Sequence, residues 1–207
     1  MSNHKTDERN NSSLHSEKKE NKLCIGIVGL GPIGMMLAVH LQEAGCSVLI
    51  CDNDRIKTNQ IRNEGIKLED KIKKNAKFNH IYSSVGELFD QNPDYIFICL
   101  KTYQVESVLD EIPLSNTSVF ISAQNGIDVE NMLSEKFGDR RTMRMVINFA
   151  GNLSASNTVK VTFFNPPNYI ASLDDSTKNL AEEIATLLNK VDLTTKAISS
   201  FELTKTA

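Results

Sequence analysis

Six residues constrain this chain more than any others. Gly29-Leu30-Gly31-Pro32-Ile33-Gly34 is a G-x-G-x-x-G turn set directly after the apolar run LCIGIV, residues 23–28. An apolar run closed by glycine predicts a strand buried on both faces of a parallel sheet. Ile33, Leu37 and Leu41 then share one stripe, with Met36 and His40 beside it, so a helix is expected to about Ala44, stopped by Gly45. Pro32 suits the first helical position, where its missing N–H costs nothing. Residues 46–52 (CSVLICD) predict the next strand. In a strand–turn–helix of this kind Gly29 permits the tight turn, Gly31 lets the backbone approach a pyrophosphate, and Gly34 lets helix and strand pack closely. The helix N-terminus adds unpaired N–H groups and a positive dipole end for phosphates. The competing reading is a glycine-rich turn that binds nothing.

The alternation continues along the chain. Helices are expected over 84–91, around 105–112, over 127–137 and over 180–188. Strands are expected over 94–100 (DYIFICL), over 118–122 (SVFIS) and, briefly, after His80. After Arg141 three strands, 143–149, 159–164 and 169–173, suggest an antiparallel extension. The fold class expected is therefore α/β, a Rossmann-type doubly wound, mostly parallel sheet with an antiparallel extension.

Residues 1–22 are a different material. Their aliphatic side chains are Met1 and Leu14, among five basic and four acidic residues. Such a stretch cannot bury enough apolar surface to offset its ordering entropy, so a disordered tail is expected. It lacks the apolar core of a secretory signal. Hydrophobic residues make up 40% of the 207, enough for a core, and a net charge of −3 argues against a nucleic-acid partner. No apolar run reaches the length that spans a bilayer, so no membrane partner is expected. Cys24, Cys46, Cys51 and Cys99 fall in or beside expected strands without zinc-like spacing, which suits reduced thiols in a cytoplasmic protein and no metal. His40 belongs to helix packing, so a proton donor for catalysis is expected to be another residue type, such as lysine.

Asp52, 18 residues after Gly34, stands where an acid accepts from the ribose 2′-hydroxyl of NAD and repels the 2′-phosphate of NADP. Asn53 and Arg55 are nearby, and Arg55 could reach a phosphate. NAD is favoured on that chemistry, NADP stays open, and FAD uses the same fingerprint. Two further groups fall just beyond strand ends, where open α/β sheets bind ligands. Lys101 follows the strand 94–100, and Asn125-Gly126 follows the strand 118–122. Alone, each could be a solvated lysine or an ordinary turn. On one sheet edge with the glycine turn, they suggest a site.

These segments together resemble the ketopantoate reductases (2-dehydropantoate 2-reductases). The resemblance rests on GLGPIG at 29–34, Glu64-Gly65-Ile66, ICLKTYQ at 98–104 and SAQNGI at 122–127. The paired L-K-x-x-Q and Q-N-G are much more specific than the glycine turn. The resemblance runs from about Leu23 to the end of the chain. The expected cofactor contacts from the turn and strand-end reading are Gly29, Leu30, Gly31, Pro32, Ile33, Gly34, Asp52 and Asn53; the resemblance adds Lys101, Asn125 and Ala150, with Asn125 also reaching substrate. It implies NADPH-dependent reduction of 2-dehydropantoate to pantoate, a step of pantothenate and coenzyme A synthesis. This chain departs from the family in having Asn53, preceded by Asp52, where members carry an arginine, which leaves NADP against NAD open.

The resemblance also implies a helical second domain that supplies the catalytic lysine. The expected division is a tail over 1–22, a dinucleotide-binding domain over 23–197, and a stub of the missing domain's first helix over 198–207. The catalytic lysine is then expected beyond residue 207; Lys205 is not that residue. The expected partner is a small 2-keto acid. A homodimer is also expected, through apolar surface left uncovered at the C-terminal edge. Two rival readings remain: a non-catalytic NAD(P)-sensing module, and another 2-keto acid or opine-type dehydrogenase.

Overall fold

The computed structural model describes residues 22–124 and 129–205. The first half runs β1 (Cys24–Val28), α1 (Pro32–Glu43), β2 (Ser47–Cys51), α2 (Arg55–Glu64), β3 (Ile66–Asp70), β4 (Lys74–Ala76) and β5 (His80–Tyr82). Then come α3 (Val85–Phe89), β6 (Tyr95–Ile98), α4 (Thr102–Glu111), β7 (Val119–Ser122) and α5 (Val129–Phe137). The remainder is β8 (Thr142–Val146), β9 (Phe149–Ala155), β10 (Thr158–Phe164), β11 (Asn168–Ser172), α6 (Lys178–Asn189), β12 (Thr195–Ala197) and α7 (Ser200–Leu203).

Eight strands form the main sheet in the order β12-β11-β8-β7-β6-β1-β2-β5. From β8 to β5 every pairing is parallel, and β11 alone pairs antiparallel, against β8. The mostly parallel α/β sheet expected from the apolar runs is therefore present. Side chains alternate strictly across it. Ile25, Ile27, Val48, Ile50, Tyr95, Phe97 and Ile121 face one core with α1 and α6. Leu49, Cys51, Ile96, Ile98 and Phe120 face the other, with α3, α4 and α5. Burial on both faces is why these strands read as unbroken apolar runs.

The extension after Arg141 differs from expectation. β8 continues the parallel order beside β7, and the reversal comes at β11, with β12 running parallel to it. β10, expected in the same extension, leaves the main sheet altogether. It joins a second sheet of order β4-β3-β10-β9, pairing parallel with β3 and antiparallel with β9. This small sheet packs over α1, whose other side lies on β1 and β2. Residues Gly34 to Leu41 are all buried as a result. His40 sits in that sandwich at 1% exposure, hydrogen-bonded through Nδ1 to the Met36 carbonyl, as a packing residue should be.

Candidate functional site

The parallel strands end together on one edge, and a cleft of about 680 Å³ opens there. Its floor is the turn after β1, and its walls are the segments after β2, β5 and β6. The turn is stitched to the end of β2. The Gly29 N–H donates to the Cys51 carbonyl at 2.9 Å, and the Leu30 N–H donates to Asp52 Oδ2 at 2.7 Å. Gly31 is the N-cap of α1 and has no side chain to cap with, while Pro32 opens the helix. The first-turn N–H groups are thus left without a side-chain acceptor.

The three glycines have different reasons to be glycine. Gly29 has φ +93° and backs onto the Cys99 carbonyl; both exclude a side chain. A Cβ on Gly34 would meet Gly29 backbone. Gly31 has φ −74° and ψ −176°, open to any residue, and a Cβ there would meet nothing within 4 Å among the described residues beyond its chain neighbours. Packing against the described residues and backbone geometry therefore do not demand glycine at 31, on the floor of the cleft.

Asp52 lies at the cleft wall but is already engaged. Oδ2 accepts from Leu30 N–H and from the Lys57 ammonium at 3.0 Å, and Oδ1 accepts from the Asp54 N–H at 3.0 Å. Its first role is to latch the glycine turn, which changes the reading of an acid free to meet ribose. Asn53 is exposed and lines the cleft beside it. Arg55, expected as a possible phosphate ligand, is the exposed first residue of α2 and does not line the cleft. Lys57 does line it, with its side chain only 14% exposed. Sequence reasoning passed over Lys57. The signal that finds it is Asp54, which N-caps α2 by accepting from Ile56 and Lys57 N–H groups and so sets the lysine in the first turn, facing back to Asp52.

Lys101 is the N-cap of α4, exposed, and lines the opposite wall. Gln104 explains part of the L-K-x-x-Q spacing: its Oε1 accepts from the Lys101 N–H at 3.3 Å, closing the helix start. Tyr103, 77% exposed, stands at the same rim. Asn125 lies outside the described residues. Ala150 falls on β9, paired with Phe163 in the second sheet, and is not among the residues lining the cleft. A smaller hollow of about 440 Å³ lies by α6 and α7, far along the sheet from the glycine turn. All four cysteines are free thiols, and among the described residues no cluster could hold a metal ion. Among them, too, no helix is long and apolar enough to cross a membrane.

Comparison with known proteins agrees with this fold. A curated 2-dehydropantoate 2-reductase of Archaeoglobus fulgidus is 24% identical over 178 residues, covering 86% of this chain and 57% of that protein. The chain thus spans somewhat over half the length of that relative. The structure of 2-dehydropantoate 2-reductase from Porphyromonas gingivalis superposes with a TM-score of 0.72 at 17% identity, covering 84% of this chain and 63% of the other. The enzyme of that name from Geobacter metallireducens gives 0.71 at 20%, covering 85% and 57%. A complex of D-mandelate dehydrogenase with NADH gives 0.69 at 21%, covering 86% and 55%. At such identities these structures speak for the fold. The profile of the family described as ketopantoate reductase PanE/ApbA matches residues 25–175, most of the chain. On that match, the chain belongs to the ketopantoate reductase PanE/ApbA family.

Proposed function

We propose that this chain binds a nicotinamide dinucleotide in the cleft above β1, as the cofactor half of a reductase acting on a 2-keto acid, with 2-dehydropantoate as the substrate its family suggests. Gly31 carries the reading. The described residues leave its Cβ position empty and its backbone unstrained, so glycine there serves something that approaches from outside. A pyrophosphate needs that close approach to a helix N-terminus. Gly29 and Gly34 hold the turn, Leu30, Pro32 and Ile33 complete it, and Asp52 and Asn53 flank the adenosine side. Lys101 brings a cation to the far wall, and Asn125, three residues after Ser122 in sequence, is assigned to the nicotinamide and keto-acid side. Ala150 is not included, since β9 holds it in the second sheet.

A bound reduced nicotinamide would supply the hydride that turns a ketone into an alcohol. The chain's own contribution is to fix the dinucleotide through backbone N–H groups and to place positive charge near developing alkoxide. Binding and turnover are separate proposals, because the chain spans 57% of its curated relative. Micromolar binding with little keto-acid reduction by the 207-residue chain is expected.

Titration of the full chain with NADH and NADPH, followed by nucleotide fluorescence, tests the reading. Gly31→Ala should keep the wild-type melting temperature within about 2 °C and weaken binding by at least tenfold. Absence of binding by the wild-type chain, or undiminished binding by Gly31→Ala, overturns it. Turnover of 2-dehydropantoate by the chain alone would overturn only the expectation of little reduction.

A further inference from the structure

We infer that Lys57 sets the cofactor preference of this chain, by cancelling the charge of Asp52 and offering its ammonium to a 2′-phosphate. The inference rests on the nucleotide-binding reading above and extends it to the choice between NADH and NADPH. A free carboxylate at the end of β2 repels a 2′-phosphate and accepts from a 2′-hydroxyl. Asp52 is not free. Its two oxygens already take three hydrogen bonds, one of them the 3.0 Å ion pair with Lys57. The Lys57 and Asp52 side chains are 14% and 10% exposed, so water screens this pair poorly.

An ammonium has three donors. One points at Asp52 Oδ2, and Lys57 Nζ makes no second hydrogen bond among the described residues. Lys57 lines the cleft together with Asn53 and Asp52, on the side away from Lys101. This is where the dinucleotide's adenosine ribose falls when its pyrophosphate sits on the glycine turn. A phosphate arriving there meets an ion pair of no net charge, in place of a free carboxylate, whose ammonium has donors to spare. The site is therefore built to accept NADPH despite the acid that its sequence places at the end of β2.

The test is the ratio of NADPH to NADH affinity, measured by fluorescence titration of the full 207-residue chain at fixed ionic strength. Wild type should bind the two within about tenfold of each other. Lys57→Met should move the ratio toward NADH by at least fivefold, and Lys57→Arg, which keeps the charge, should restore it to within about twofold of wild type. Circular dichroism melting of each variant separates a folding defect from a binding one. A wild-type preference for NADH beyond about tenfold, a smaller shift in Lys57→Met, or failure of Lys57→Arg to restore the ratio overturns the inference while leaving dinucleotide binding intact. Failure of wild type to bind either nucleotide removes the dinucleotide reading, and the role of Lys57 with it.

Discussion

A Cβ on Gly34 would stand 2.0 Å from the carbonyl oxygen of Gly29. No side chain fits that gap, and the obstacle is backbone, which cannot swing aside. Gly34→Ala must push α1 away from β1 or unwind the turn. Overpacking of a tight site costs about 1–3 kcal/mol, and a backbone obstacle belongs at the top of that range. The expected loss is about 3 kcal/mol in urea unfolding, a defect of the fold itself and so the opposite of Gly31→Ala.

Asp52→Ala should do more than alter a ligand contact. It removes the acceptor of the Leu30 N–H and strands the Lys57 ammonium in a largely buried position. Losing one partner of such a pair costs several kcal/mol when deeply buried and less at a cleft wall. A loss of about 2 kcal/mol is expected in chemical denaturation. Asp52→Asn, which keeps an acceptor for Leu30, should lose less. Equal stability of wild type and Asp52→Ala would remove the latch role.

Phe120 is fully buried and stacks on Phe137, with ring centroids 4.0 Å apart and planes at 13°, while Phe89 lies 6.3 Å away. This trio joins β7 to α5 and α3. Phe120→Ala should cost about 3–5 kcal/mol by loss of burial and opening of a cavity. Because β7 ends at Ser122, three residues before Asn125 in sequence, and beside the cleft-lining strand β6, weaker dinucleotide binding should accompany the loss, measurable as a raised Kd in the temperature range where the variant stays folded.

Stability should fall in alkali. Burial raises the Cys46 thiol to about 11 and, with Asp52 adding to it, the Cys51 thiol to about 12. Cys99 is raised as well, by burial alone. A thiol whose folded pKa is raised keeps its proton in the native chain after the unfolded chain has lost it. Its stabilising contribution is complete below the ordinary value of 9.0 and is lost as pH rises through the folded value. Urea midpoints should therefore decline between pH 9 and 12, and Cys51→Ala should show a shallower decline. The same shift keeps these thiols un-ionised at pH 8, so they should react slowly with disulfide reagents until the protein is unfolded.

The sequence announced what was local and hid what was distant. The runs that become β1, β2, β6 and β7 are buried on both faces, so their apolar character survives without knowledge of their neighbours. The glycine turn is legible because its three glycines fall within six residues, between an apolar run and a helical stripe. β3 and β4 are different. Among IKLED and KNA only Ile66 and Leu68 are buried, and what makes β3 a strand is its pairing with β10, some ninety residues later. No local period records such a partner. Lys57 escaped for a related reason. Its role depends on the start of α2, set by Asp54, and on a side chain folded back across the helix end. Asp52, by contrast, stands out in the sequence by its place after β2, while the partners that engage it, Leu30 N–H and Lys57, do not.

The sandwiching of α1 between two sheets also sets an order of assembly on the ribosome. The helix whose first turn forms the cleft floor emerges early, yet β9 and β10, which cover it, are made more than a hundred residues later. Until then the apolar back of α1 has water where the second sheet belongs, and β3 has only β4 beside it. The N-terminal strands can pair early, but the floor of the cleft becomes rigid only when residues 149–164 arrive. A nascent chain stalled before that segment should expose α1 to chaperones and proteases, and gain protection in one step as the hairpin of β9 and β10 closes over it.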